Sequence, residues 1–272
     1  MQHVVEAKGF AIPLVGLGTW MLRGRECARL VEQAIRLGYR HIDTAQMYDN
    51  EAAVGEGVRA SGKRAEVMVT TKVQPTLLAP HDLERSVKES LVRLRLDVID
   101  LLLIHWPNPR VPLSETLGAM AKMKRAGYVR ALGVSNFTVA LLDEASKVSP
   151  EPLVCNQVEC HPFLDQSKVI AACRRLGMAV VAYSPVARGS AKGDTVLERI
   201  GKAHGKSAAQ VSLRFLVQQG IAVIPRTSRI ERLEENLALF DFELTPAEMT
   251  EIAKLGGRNG RIVDWSWSPN WD

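Results

Sequence analysis

Eight short apolar runs, separated by amphipathic stretches, constrain this chain more than any other feature. They are IPLVGLGTW (12–20), YRHIDTA (39–45), EVMVTTKV (66–73), VIDLLLIHW (98–106), VRALGVS (129–135), LVCNQVE (153–159), MAVVAYSP (178–185) and IAVIPRT (221–227). Between them RECARLVEQAIRLG (25–38), DLERSVKESLVRLRL (82–96), SETLGAMAKMKRAG (114–127) and SAAQVSLRFLVQQG (207–220) carry helical periodicity. Several of these close on a glycine, which suits a left-handed helix cap. Strand candidates that alternate with helices favour parallel β-α units.

Two architectures compete for such a pattern, an open doubly wound sheet and a closed barrel. The 272 residues fit either two average domains or one α/β barrel, so length does not decide. An open dinucleotide-binding sheet should carry G-x-G-x-x-G after its first strand, but Gly16 and Gly18 are followed by Met21 where the third glycine belongs. The fingerprint fails. The breaks WPNPRVP (106–112) and SPVARGSAKGD (184–194) read as loops at strand ends rather than linkers. The expected fold is therefore α/β, one (β/α)8 TIM barrel over residues 1–272. A segment 1–13 and a tail 255–272 are expected to pack on it.

Other classes are disfavoured. The net charge of +5, from 35 basic and 30 acidic residues, is spread without a basic block, so no nucleic-acid partner is expected. Cys27, Cys155, Cys160 and Cys173 show neither C-x-x-C spacing nor a zinc-type histidine partner, and read as small buried hydrophobes. No apolar run approaches the ~18 residues of a membrane span, and the start of the chain lacks a basic head before an apolar stretch. Neither a membrane nor a metal is expected, and a cytoplasmic location is.

In a barrel, functional groups gather where strands end and the following loops begin. Those positions hold Asp43 and Tyr48 after the second run, Lys72 at the end of the third, and His105 with Trp106 at the end of the fourth. Singly, each has an ordinary structural use: an aspartate caps a turn, a lysine snorkels, a histidine satisfies a core hydrogen bond. Together they aim an acid, a phenol, an amine and an imidazole at one point, a set that suits proton donation. A free phenol has a pKa of about 10, and a nearby ammonium lowers it. Lys72 would supply that ammonium, Asp43 would keep it charged despite burial, and a neutral His105 would orient a carbonyl oxygen. A lowered Tyr48 pKa is the expectation.

The stretches GLGTW (16–20), YRHIDTAQMYDNE (39–51), TTK (70–72), IHWP (104–107), GVSNF (133–137), NQVECHP (156–162), YSP (183–185) and IPRTSRIERLEEN (224–236) follow one another in an order that resembles the aldo-keto reductases along nearly the whole chain. The resemblance implies an NADP(H)-dependent carbonyl reductase with Asp43, Tyr48, Lys72 and His105 as its catalytic tetrad, working without a metal or covalent intermediate. It implies a small-molecule carbonyl as partner and a monomeric state. By the same resemblance Ser135, Asn136 and Gln157 would hydrogen-bond the nicotinamide carboxamide and Tyr183 would stack on its ring. Gly18, Thr19, Trp20, Asp43, Ser184 and Pro185 would also border the cofactor. Arg226, Thr227, Ser228, Arg229 and Arg232 would hold the 2′-phosphate, with Glu235 and Asn236 at the adenine. Guanidinium forks suit a phosphate because each can bond it bidentately. The alternative for this segment is a solvated basic helix face.

Two departures stand out. Arg226 occupies a position where the family usually has lysine; the charge is kept, so NADPH remains expected over NADH. The loop between Tyr183 and Asp194 is short where many relatives carry a long flap, which suits looser cofactor binding or faster release. Trp20, Met47, Tyr48, His105 and Trp106 would line the substrate site, an apolar wall around polar groups. The tail GRIVDWSWSPNWD (260–272) holds Trp265, Trp267 and Trp271, too apolar to stay in water, and reads either as a lid over the site or as a strap outside the barrel. Length, short flap and Trp-Asp ending look most like the bacterial 2,5-diketo-D-gluconate reductases of B type, whose members also reduce 2-oxoaldehydes such as methylglyoxal. Two other readings stay open: an aldolase-type barrel with a Schiff base on Lys72, and a cofactor-binding regulatory subunit.

Overall fold

The computed structural model describes residues 3–257 and 260–272. Its first two strands, β1 (Val4–Ala7) and β2 (Phe10–Pro13), pair antiparallel. Lys8 (φ 50°) and Gly9 (φ 78°) both occupy the left-handed region, as a two-residue I′ hairpin turn requires. Eight strands follow: β3 (Leu17–Gly18), β4 (His41–Asp43), β5 (Met68–Val73), β6 (Ile99–Ile104), β7 (Val129–Ser135), β8 (Leu153–Glu159), β9 (Ala179–Tyr183) and β10 (Ala222–Val223). They lie side by side in chain order, every pair parallel. The ring closes where β10 meets β3, with parallel bridges Val15 to Val223 and Gly18 to Arg226. Gly16 N donates to Val223 O at 2.9 Å, and Val223 N to Leu14 O at 2.8 Å. This is the (β/α)8 barrel.

The run 12–20, read as one strand, is divided between the end of β2 and all of β3. Pro13 closes β2 because it has no N–H to extend the ladder. Gly16 and Gly18 lie where the barrel closes. A Cβ on Gly18 would stand 2.6 Å from the Ile224 carbonyl oxygen, and one on Gly16 2.7 Å from His41 Nδ1. Only glycine at these two positions leaves room for the His41 ring and the Ile224 carbonyl.

The helices are α1 (Gly24–Leu37), α2 (Glu51–Ala60), α3 (Pro80–Leu94), α4 (Leu113–Arg125), α5 (Val139–Val148), α6 (Ser167–Arg175), α7 (Thr195–His204), α8 (Ala208–Val217), α9 (Ile230–Leu237) and α10 (Pro246–Ala253). The four helical patterns read from sequence correspond to α1, α3, α4 and α8. Gly38 caps α1 in the left-handed region, whereas α3 ends on a non-glycine cap, Arg95 at φ 51°.

Alternation along β6 shows how the core divides. Leu101 and Leu103 face the barrel interior with Met68, Ala131 and Val181, while Leu102 and Ile104 face the helices. Ala7 and Ile12 of the hairpin join the interior cluster and close the N-terminal mouth. The C-terminal mouth is left for chemistry. All four cysteines are free and buried. Among the described residues no helix is long and apolar enough to cross a membrane. Of the segments expected to pack on the barrel, residues 1, 2, 258 and 259 lie outside the described residues.

Candidate active site

Strands β4, β5 and β6 are neighbours, so their C-terminal ends bring Asp43, Lys72 and His105 together. Lys72 Nζ donates to Asp43 Oδ1 at 2.5 Å, to the Thr44 carbonyl at 2.9 Å and to Tyr48 Oη at 3.3 Å. Three acceptors match the three N–H bonds of an ammonium. Both charges are buried, Lys72 at 0% and Asp43 at 1% exposure. Tyr48 comes from a 3₁₀ turn, Gln46–Tyr48, directly after β4. Its ring stands edge-on to His105 with centroids 5.6 Å apart.

Burial pulls Lys72 below the ordinary lysine value, and the Asp43 carboxylate acts the other way. His105 lies well below the usual histidine range, first through burial and then through the Lys72 charge, so its ring is neutral at pH 7. Its Nδ1 is buried and has no partner among the described residues. Tyr48 corrects the expectation drawn from sequence. Its phenol lies well above the ordinary value, pushed up first by burial and then by the Asp43 charge. The ammonium meant to lower it is matched by a carboxylate 2.5 Å away, so the pair offers the phenol little net positive charge.

The predicted cofactor positions occupy the remaining strand ends. Gly18, Thr19 and Trp20 follow β3, Ser135 and Asn136 the end of β7, Gln157 lies on β8, Tyr183 to Pro185 end β9, and Arg226 follows β10. Several are already bonded to one another. Ser135 Oγ donates to the Gln157 carbonyl at 2.8 Å, Asn136 Nδ2 to the His105 carbonyl at 2.9 Å, and Tyr183 Oη to Asn136 Oδ1 at 2.8 Å. Thr19 Oγ1 donates to the Asp43 carbonyl at 2.9 Å, and the Pro185 carbonyl accepts from Ser212 Oγ at 2.6 Å. Asn136 (φ 62°) and Ser184 (φ 51°) are left-handed non-glycine residues, a strain that tends to gather at functional sites. Arg226, Ser228, Arg229 and Arg232 are exposed, and none of these arginines pairs with a carboxylate among the described residues. Thr227 is buried and accepts from Arg229 N at 3.0 Å. Glu235 accepts from Ser207 Oγ at 2.5 Å, and Asn236 is on the buried face of α9.

Of the predicted substrate wall, Trp20 (40%) and Met47 (47%) are exposed, whereas Trp106 is buried at 4%. The tail accounts for the difference. Trp267 and Trp271 pack against Trp106 with centroids 5.0 and 6.0 Å away. Arg261 lies 3.8 Å over the Trp271 ring, and Asp272 Oδ2 accepts from Val139 N at the start of α5. The tail is anchored by Glu159, at the end of β8, whose two oxygens accept from Ile262 N at 2.7 Å and Val263 N at 2.8 Å. His161 Nε2 lies 2.9 Å from the same carboxylate. Burial acts to raise Glu159, but His161 and the two tail amides outweigh it and hold the group below its ordinary value.

Sequence reasoning missed three residues of this mouth. Glu159 lies inside the NQVECHP stretch, but its partners are a hundred residues away. Asn50 Nδ2 donates to the Thr19 and Leu22 carbonyls at 2.8 and 3.0 Å, and its Oδ1 accepts from Thr44 Oγ1 at 2.6 Å, tying together the loops after β3 and β4. Arg188, in the short loop after β9, places its guanidinium 4.9 Å from the Trp20 ring centre. A lone arginine in a loop gives no signal for that partner.

The profile of the Aldo/keto reductase family matches residues 14–256. The chain is 40% identical over 266 residues to the methylglyoxal reductase DkgB of Escherichia coli O157:H7, covering 96% of this chain and 100% of that one. It is 39% identical over 249 residues to the glyoxal reductase of Bacillus subtilis (strain 168), covering 91% and 90%. A crystal structure described as a 2,5-diketo-D-gluconic acid reductase B superposes with a TM-score of 0.98 at 47% identity, over 100% of this chain and 98% of that chain. Strand-end chemistry, barrel and relatives agree: this chain belongs to the aldo/keto reductase family.

Proposed function

We propose that the protein reduces small aldehydes and ketones to alcohols with NADPH, Tyr48 serving as general acid. The observation that carries this is the Lys72 ammonium held at once by Asp43 Oδ1 (2.5 Å) and against Tyr48 Oη (3.3 Å), with the neutral His105 ring beside the phenol. The remaining strand ends suit the cofactor. Three exposed guanidiniums at positions 226, 229 and 232 have no carboxylate partners among the described residues, which favours a phosphate-bearing ligand. NADPH, when bound, supplies the hydride that the carbonyl carbon receives.

The chain's own groups handle the proton. Tyr48, held above its ordinary value, carries its proton through the neutral range and gives it up only to the stronger base that forms as the carbonyl becomes an alkoxide. Lys72 stabilises the phenolate left behind through its bond to Oη. Asp43 stops burial from stripping Lys72 of its own proton. His105, neutral, is free to donate to the carbonyl oxygen and orient it. A Schiff base on Lys72 is disfavoured because all three ammonium hydrogens are engaged, leaving no lone pair to attack.

The names of the relatives support methylglyoxal-like 2-oxoaldehydes and diketo sugar acids as the first substrates to try, with ketoesters added to the panel. We further propose a monomeric, cytoplasmic enzyme. The test is NADPH fluorescence titration, then absorbance decay at the nicotinamide band against these carbonyls. Binding with turnover is expected. Binding without turnover on any carbonyl would move the reading to a regulatory subunit.

A further inference from the structure

Gln157 stands on β8, across the barrel from β4, yet its side chain ends on Asp43. Its Nε2 donates to Asp43 Oδ2 at 2.7 Å, while Asp43 Oδ1 faces Lys72 at 2.5 Å. All three residues are buried. The Gln157 backbone is fixed as well, since its carbonyl accepts from Ser135 Oγ at 2.8 Å and Asn136 N at 2.9 Å. With Nε2 committed to the carboxylate, the amide has one direction only. Its Oε1, which has no partner among the described residues, is the atom left for a ligand.

We propose that Gln157 is a positioning residue: it holds Asp43 Oδ2 so that the carboxylate stays against Lys72. The inference rests on the reductase reading of the site. Without the amide, Oδ2 would be a buried carboxylate oxygen lacking a donor, a costly state. The carboxylate would relieve it by turning away or by taking up a proton. Either change deprives Lys72 of its counter-ion and Tyr48 of its bond to an ammonium. The groups that bear on Asp43 are Lys72 from β5, Tyr48 from the turn after β4, Cys155 from β8 and His41 from β4 itself.

The test compares the full-length wild type with Gln157→Met and Gln157→Glu. NADPH affinity is measured by fluorescence, folding by thermal melting, and kcat on methylglyoxal at saturating NADPH from pH 5 to 9. Gln157→Met should lose about tenfold in kcat beyond any change in NADPH affinity, with an acid limb about one pH unit higher. In Gln157→Glu the protonated carboxyl can still donate to Asp43, whereas the ionised one repels it. The ratio of variant to wild-type kcat should therefore climb with pH for Met and fall for Glu. Flat ratios in both variants, with only NADPH affinity weakened, would overturn the proposal and leave Gln157 a cofactor contact. If Gln157→Met does not fold, the slope of the Glu variant decides alone. A wild type without turnover would sink the reductase reading instead. The Asp43 link is then read by the carbon-13 chemical shift of its carboxyl at one fixed pH, which should move in a Gln157 variant, and an unmoved signal would refute it.

Discussion

Tyr48 shows how a residue's setting changes its chemistry. Its phenol is poised by burial and by Asp43 to keep its proton, and the Lys72 bond at 3.3 Å readies the oxygen to lose it. Tyr48→Phe removes only that hydroxyl. It should lower kcat by ~10² to 10⁴ while leaving NADPH affinity unchanged, as steady-state turnover and fluorescence titration would show. A second residue-scale prediction concerns stability. His41, inside the barrel beside Gly16, is pushed down to about 4 by burial first. Its folded value lies below that of the unfolded chain, so the unfolded state binds the extra proton between about pH 6.5 and 4. Stability is whole above that window and falls as pH drops through it, by about 3 kcal/mol from this group. Urea melts across pH 4 to 7 should show the fall, with a shallower one in His41→Gln. The cluster of Asp43, Tyr48, Lys72 and His105 was legible because Asp43, Lys72 and His105 lie at strand ends and Tyr48 follows one of them by a single turn. The Gln157 bond to Asp43 was not, because nothing local in NQVECHP specifies a partner on the opposite strand.

At the scale of elements, the tail and α9 carry separate predictions. Glu159 holds the tail through two successive amides, so Glu159→Gln exchanges one acceptor oxygen for a donor that faces an N–H. Amide exchange at Ile262 and Val263 should quicken by about 10- to 100-fold, the equivalent of losing a hydrogen bond to a charged group. Deletion of residues 264–272 uncovers Trp106 beside His105. It should raise KM for bulky carbonyls more than for methylglyoxal, whereas an equal KM with a lower Tm would mark the tail as a strap. Arg232→Ala, at the start of α9, should weaken NADPH by about tenfold and NADH little, since a phosphate-guanidinium bond is the one removed. Equal loss for both cofactors would put the phosphate elsewhere. The aromatic content announced that the tail must pack. Its seat depends on Glu159 and Asp272, whose partners are far away in the chain and carry no local periodicity.

For the whole molecule, parallel pairing and closure were readable in alternating runs and helices, and boundaries were less so. β3 keeps only Leu17 and Gly18, because closure against β10 needs glycines rather than a long apolar strand. Segment 1–13 was expected to pack on the barrel, but its hairpin was not legible, because the apolar run 12–20 masks the end of β2. That hairpin seals one mouth of the barrel and leaves the other to the strand ends that carry Asp43, Lys72, His105 and Tyr183. The most direct test of the account pairs the wild type with Tyr48→Phe, each titrated with NADPH and then given methylglyoxal. Tight NADPH binding by both and turnover by the wild type alone are expected. Equal turnover by the two proteins, or no NADPH binding by either, would contradict it.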